Sequence, residues 1–131
     1  MVEEDTTISC LFCILPENVA LIDGNELAVA FYDKFPVTQY HTLIIPRRHV
    51  ADFFELNEAE INAIQELLHR QKERLQELDG TITGFNIGVN VGTDAGQSVF
   101  HVHVHLIPRR KWDTSDPKGG VRGVIPGKQK Y

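Results

Sequence analysis

Toward the C-terminal end, three histidines alternate with apolar residues in the run His101-Val102-His103-Val104-His105-Leu106-Ile107. Successive side chains of a strand point to opposite faces, so the three imidazoles share one face at spacings of roughly 7 Å. Val102, Val104 and Leu106 take the other face and must be buried. A row of imidazoles is a poor structural device, because each ring needs hydrogen-bond partners of its own. A metal held by all three rings would require the strand to curve. Imidazole titrates near neutrality, so one ring can attack while others donate protons, and nucleophilic or acid–base chemistry fits the pattern better. A buried, satisfied trio without function is the structural alternative.

The remaining pattern predicts what this strand packs against. Leu27–Tyr32 reads as a short buried strand broken by Asp33-Lys-Phe-Pro36, and His41–Ile45 as a second strand stopped by Pro46. Pro16-Glu17-Asn18 signals a turn. Val50–Leu56 is a short helix or turn. The long helix runs from Glu58 to Leu78, capped by Asn57 with Glu60 completing a capping box, and Gly80 as its stop. Its apolar face is Ile61, Ile64, Leu67, Leu68, Leu75 and Leu78, with His69 off that face in solvent. Gly84–Val91 is a third strand, Gly92–Gly96 a loop, and Val99–Ile107 a fourth strand stopped by Pro108. Short connections favour antiparallel pairing. The expectation is an α+β fold: a mostly antiparallel β-sheet with one long helix and a short helix. It forms one domain over residues 1–131, with a core of about 10–110 and an irregular tail at 111–131.

Composition narrows the function classes. Of 131 residues, 42% are hydrophobic and 24% charged, which excludes global disorder, collagen and a disulfide-dense scaffold. There is no apolar run long enough for a membrane span, and Met1–Asp5 is acidic, unlike a secretory signal. Two cysteines without an export signal suggest a reducing cytoplasm. The net charge of −5 gives nucleic-acid binding little support. Residues 1–100 carry 16 acidic and 6 basic residues, and residues 101–131 carry 2 and 7. The basic segment after the histidine strand suits a phosphate-bearing ligand, or is a solvated tail. Cys10-Leu-Phe-Cys13 is a redox pair, half a zinc site, or two buried reduced thiols.

The His101-x-His103-x-His105 run, with x apolar, resembles the histidine triad (HIT) superfamily. So do Phe31-Tyr-Asp33, His41-Thr-Leu-Ile-Ile-Pro46-Arg-Arg-His49, Asn90 and Gly96-Gln97-Ser98. The resemblance covers roughly residues 10–110. It implies a nucleotide-binding hydrolase or nucleotidyl transferase acting at the α-phosphate of dinucleoside polyphosphates or nucleoside phosphoramidates. His103 would be the nucleophile that forms a covalent nucleotidyl-histidine. His105 would be a protonated ring at the leaving group, and His41 a support for the triad. Asp33 would hold the ribose hydroxyls, and Asn90, Gln97 and Ser98 would contact phosphate, ribose or leaving group. The Arg109-Arg110-Lys111 run would meet a long phosphate chain. The resemblance also implies a structural zinc held by Cys10, Cys13, His49 and His101, no organic cofactor, and a homodimer that joins two sheets. One departure stands out: the family commonly has glycine or another small residue before its counterpart of His41, and here it is Tyr40. That substitution predicts an altered loop path or pocket wall.

Two other classes compete. A non-catalytic nucleotide-binding sensor or scaffold would tolerate loss of His103. A zinc-dependent regulator would lose partner binding on chelation and ignore His103→Ala. Gly119–Pro126 is either an ordered strap near the site or dimer interface, or a flexible end.

Overall fold

The computed structural model describes residues 10–14 and 19–131. The turn expected at Pro16–Asn18 and the acidic segment Met1–Asp5 lie outside the described residues. Five strands form one antiparallel sheet: β1 (Asp23–Gly24), β2 (Ala28–Tyr32), β3 (Thr42–Pro46), β4 (Ile82–Val89) and β5 (Val104–Arg110). Their order is β1-β2-β3-β5-β4, so the last strand is inserted between β3 and β4. The α+β expectation holds, with helix α1 (Glu58–Leu78) as the single long helix and a 3-10 turn at Phe53–Glu55 as the short one. Among the described residues no helix is long and apolar enough to cross a membrane.

Helix α1 starts where its sequence says. Asn57 Oδ1 accepts from the Glu60 amide at 2.8 Å, and Glu60 Oε1 accepts from the Asn57 amide at 3.0 Å. Glu60 is also buried, and the Arg48 guanidinium meets both its oxygens at 2.9 Å, which holds its carboxyl below the usual range. The C-terminal end is made by Asp79 rather than by Gly80. Its N–H donates to the Leu75 carbonyl, and its carboxylate accepts from the Thr81 amide.

The helix covers one face of the sheet. Ala28, Ala30, Ile44, Val102 and Val104 pack against Ile64 and Leu67. The alternate residues Val29, Phe31, Leu43 and Ile45 pack on the other face against Cys10 and Phe12. Both faces of β2 and β3 are therefore buried, which is why these strands read as continuous apolar runs. Leu67→Ala in this core would cost about 2–5 kcal/mol. Ile61 and Leu78, expected on the core face, are substantially exposed, whereas Gln71 on that face is buried. Gln71 is satisfied by donating to Asp23 Oδ2 at 3.0 Å.

The fourth strand differs from expectation at both ends. It begins at Val104, not Val99, and runs through Pro108 to Arg110. Proline is tolerated because the β3 ladder has ended at Leu106, so on that side no partner awaits its missing N–H. The Pro108 carbonyl on the same side takes the Thr38 hydroxyl at 2.8 Å instead. Pro46 likewise ends β3 from within, beyond the last β3–β5 pair. The 111–131 tail is irregular but ordered, with a 3-10 turn at Gly120–Val124. Gln129 donates to the carbonyls of Asp116 and Lys118, closing the tail on itself beside Asn86 of β4. Gly119, at φ 91°, leaves no room for a Cβ, which would lie 1.7 Å from the Gln129 carbonyl.

Candidate active site and metal cluster

The segment Phe100–His103 precedes β5, and its irregular backbone lets neighbouring histidines serve two different clusters. His101 is fully buried, and its Nε2–H donates to the Pro46 carbonyl at 2.9 Å. That fixes its tautomer, leaving the Nδ1 lone pair free. Nδ1 lies 3.6 Å from Cys10 Sγ and 3.4 Å from Cys13 Sγ. His49 Nδ1 lies 3.1 Å from Cys13 Sγ. The Cys10–Cys13 segment is held as a tight turn by the Cys13 amide donating to the Cys10 carbonyl. All four ligand atoms fall within 4.8 Å of one another. Zinc–sulfur and zinc–nitrogen bonds of ~2.3 and ~2.0 Å at tetrahedral angles give a sulfur–nitrogen edge of about 3.5 Å. The observed edges bracket that value. Burial and the neighbouring Cys10 push the Cys13 thiol up to about 11, so a cation is what would draw its proton away. The donor set, spacing and fixed tautomer fit a four-coordinate structural zinc.

The same His101 supplies its main-chain carbonyl to the next ring. His103 Nδ1–H donates to it at 3.0 Å, which leaves Nε2 as an unprotonated nitrogen. Phe12, between the two cysteines, packs edge-on against the His103 ring with centroids 5.0 Å apart. Sequence reasoning missed Phe12, although an aromatic residue enclosed by a cysteine pair is itself a signal. His105 follows at 5.3 Å from His103, facing the same side as its cross-strand partner Leu43.

His105 Nδ1 is 2.9 Å from His41 Nε2. Burial chiefly, then the neighbouring His103 and His41, pushes His105 down to about 4, so the ring is neutral near pH 7. The resemblance implies a protonated His105 at the leaving group of a bound nucleotide; in the nucleotide-free chain the surroundings act against the charged form. His41 is buried and also lowered by burial, with Asp33 acting against the shift. Asp33 Oδ2 lies 3.4 Å from His41 Nε2, and its Oδ1 accepts from the Phe35 amide at 2.8 Å.

The other expected contacts divide. Asn90 is half-buried just past β4, and Ser98 is exposed. Gln97 is buried and spent on main chain: Oε1 takes the Gly92 amide, and both N–H groups go to the Ala51 and Val99 carbonyls. It holds the loop that presents Ser98 and does not aim its amide at phosphate. The basic run is also committed. Arg109 binds Asp113 with two hydrogen bonds and donates to Asn86, and Arg110 pairs with Asp79. Lys111 makes no ion pair among the described residues, and its ammonium lies 5.6 Å from the Trp112 ring. Tyr40 has φ 72°, a left-handed backbone that favours glycine, and its ring packs on Tyr32 at 5.7 Å. A cavity of about 510 Å³ lies on the opposite, helix-covered face between α1 and β4–β5, away from these rings.

A five-stranded antiparallel sheet with a histidine triad leading into its inserted strand is the architecture of a histidine triad protein. The HIT domain profile matches residues 17–112, and the chain belongs to that family. An uncharacterised HIT-like protein of Mycoplasma genitalium is 39% identical over 82% of this chain and 77% of its own length. The asymmetrical bis(5'-nucleosyl)-tetraphosphatase of Schizosaccharomyces pombe is 35% identical over 80% of this chain and 57% of its own. The crystal structure of a zinc-bound histidine triad family protein from Mycobacterium smegmatis superimposes with a TM-score of 0.76. It is 30% identical, over 84% of this chain and 81% of that one.

Proposed function

We propose that the protein hydrolyses or transfers nucleotidyl groups through a covalent intermediate on His103. The observation that carries this is the His103 Nδ1–H bond to the His101 carbonyl, which leaves Nε2 free beside a second, neutral imidazole. Nε2 attacks the α-phosphorus, the nitrogen–phosphorus bond forms, and the bond to the leaving group breaks. His105 donates a hydrogen bond that stabilises charge on the phosphate or leaving oxygen. Water then attacks phosphorus, the nitrogen–phosphorus bond breaks, and the nucleoside monophosphate leaves with His103 neutral again. Two displacements at one phosphorus give net retention of configuration.

Asp33 meets the ribose hydroxyls, and Ser98 and Asn90 meet phosphate oxygens, on a loop held by Gln97. Dinucleoside polyphosphates are the leading substrate class, supported by the likeness to the tetraphosphatase, and nucleoside phosphoramidates are the second. Zinc on Cys10, Cys13, His49 and His101 is structural: all four positions are filled by protein, and it fixes the segment carrying His103. A second copy of the chain pairs along β4. That strand lies at the sheet edge beside the apolar cavity lined by Ile61, Phe85 and Ile87. Free cysteines arranged for a soft cation suit a reducing cytoplasm.

The test is acid-quenched turnover of diadenosine tetraphosphate and adenosine phosphoramidate. A burst of leaving group with label trapped on His103 is expected, and His103→Ala should lower kcat by about 10⁴ or more. Full hydrolysis by purified His103→Ala would overturn the mechanism and favour the binding-module reading.

A further inference from the structure

The Cys10–Cys13 segment carries more than two cysteines. It is a 3-10 turn closed by the Cys13 amide on the Cys10 carbonyl at 3.1 Å. Side chains three residues apart eclipse in such a turn, so the two sulfurs converge on one side. The residues between them point elsewhere, and they part company: Leu11 is 51% exposed and Phe12 only 9%. The Phe12 ring meets three others edge-on, Phe31 of β2 at 5.6 Å, His101 at 6.2 Å and His103 at 5.0 Å between centroids. All three lie in the range of favourable aromatic pairs. One side chain thus touches a histidine of the cysteine–histidine cluster and the ring of His103 together.

The His103 ring is held at few points. Among the described residues its one hydrogen bond runs from Nδ1–H to the His101 carbonyl at 3.0 Å. That bond fixes the tautomer, but the outer torsion of a histidine is broad, and a ring tied at one atom can still tilt and swing Nε2. Two neighbouring rings limit the swing. Phe12 stands at 82° to the His103 ring, and His105 at 62° with centroids 5.3 Å apart. The Phe12 ring presents only C–H groups. It walls the imidazole without hydrogen bonding to it, so Nε2 keeps its lone pair.

We propose that Phe12 is a positioning residue for the nucleophile: its ring, seated between Cys10 and Cys13, sets the plane in which His103 Nε2 attacks. The cysteine–histidine cluster then reaches His103 by two routes. One is main chain, through His101, whose Nδ1 faces the sulfurs and whose carbonyl accepts from His103. The other is side chain, through Phe12, whose place follows from the turn that carries both cysteines. Attack in line with the departing group tolerates little angular error, so a rigid wall beside the ring acts on rate rather than on affinity. The same wall keeps water from the Nδ1–H bond. The catalytic consequence rests on the function proposed above; the packing of the rings does not.

The test compares zinc-loaded wild type, Phe12→Leu and Phe12→Met with diadenosine tetraphosphate as substrate. Both replacements fill most of the space with a flexible apolar chain and remove the flat wall. Each should lower the burst rate of nucleotidyl transfer to His103 by on the order of 10², with KM changed less than about threefold. Cobalt(II) in place of zinc should give the same thiolate charge-transfer band in all three proteins, the sign of an intact cluster. In ¹H–¹⁵N spectra of the nucleotide-free protein, the His103 Nδ1–H should be visible in wild type and broadened by exchange with water in the variants. A wild-type burst rate in either folded variant, or an unchanged Nδ1–H signal in both, overturns the proposal. A raised KM with kcat kept does so too, by making Phe12 a ligand contact. So does a cobalt band lost together with activity, because Phe12 would then act on the cluster and not on His103. If the variants free the Nδ1–H while purified His103→Ala stays active, the functional reading fails and the packing role stands.

Discussion

In one cluster His101 Nε2–H donates to a carbonyl and a bare Nδ1 turns toward two sulfurs. In the other His41 receives an amide on Nδ1 and keeps its proton on Nε2, toward a third ring. Both contain two histidines near side chains that bind metals elsewhere, and in both the ligand atoms lie within 4.8 Å of one another. Proximity of donors therefore does not distinguish a metal centre from a hydrogen-bond relay. What distinguishes them is the main-chain group opposite each ring: a carbonyl bares a ligand nitrogen, and an amide closes one.

The largest effect that sharpens this contrast comes from the sulfurs. Replacing Cys10 and Cys13 by serine should take zinc from near one per chain to near zero by mass spectrometry. It should also lower the calorimetric midpoint by more than about 10 °C, a loss of several kcal/mol. Full zinc content in that variant would remove the metal assignment.

The next effect is a pH dependence of stability in the relay. Burial, then the neighbouring His103 and His41, pushes His105 down to about 4 from an ordinary 6.5, and burial lowers His41 too. A depressed histidine contributes its stability above pH 6.5 and loses it as the unfolded chain takes up protons between 6.5 and 4. His105 should account for about 3 kcal/mol of that acid loss, measurable as a shrinking urea midpoint that His105→Phe flattens. An acid profile identical in the two proteins would contradict the burial argument. The smallest effect is expected at Asp33. Asp33→Ala should leave zinc content unchanged and cost about 1 kcal/mol for the lost bond to the Phe35 amide. Loss of bound metal there would erase the contrast between the clusters.

Much of this architecture is legible in the residues alone. The Asn57–Glu60 cap, the helix, the apolar β2 and β3 runs and the set Cys10, Cys13, His49 and His101 stand where the pattern and the resemblance put them. What escapes is set by neighbours distant in the chain. Pro108 can continue a strand only because β3 stops short of it. Arg109 and Arg110 look like a phosphate-binding run until Asp113 and Asp79 neutralise them. Gln97 looks like a ligand until the Gly92, Ala51 and Val99 main chain claims it. The Val37 amide has no signature in sequence, since every residue but proline has one.

Tyr40 is held in a mirror-hand conformation that costs an L-residue about 1–2 kcal/mol, and it recovers something by stacking on Tyr32. A glycine would relax the first penalty and forfeit the second gain. Two opposing quantities of similar size thus meet immediately before the ring that orients His105, at a side chain outside the reacting constellation. Substitutions at 40 therefore bear on the 33–41 loop, and through its Val37 amide on the ring of His41.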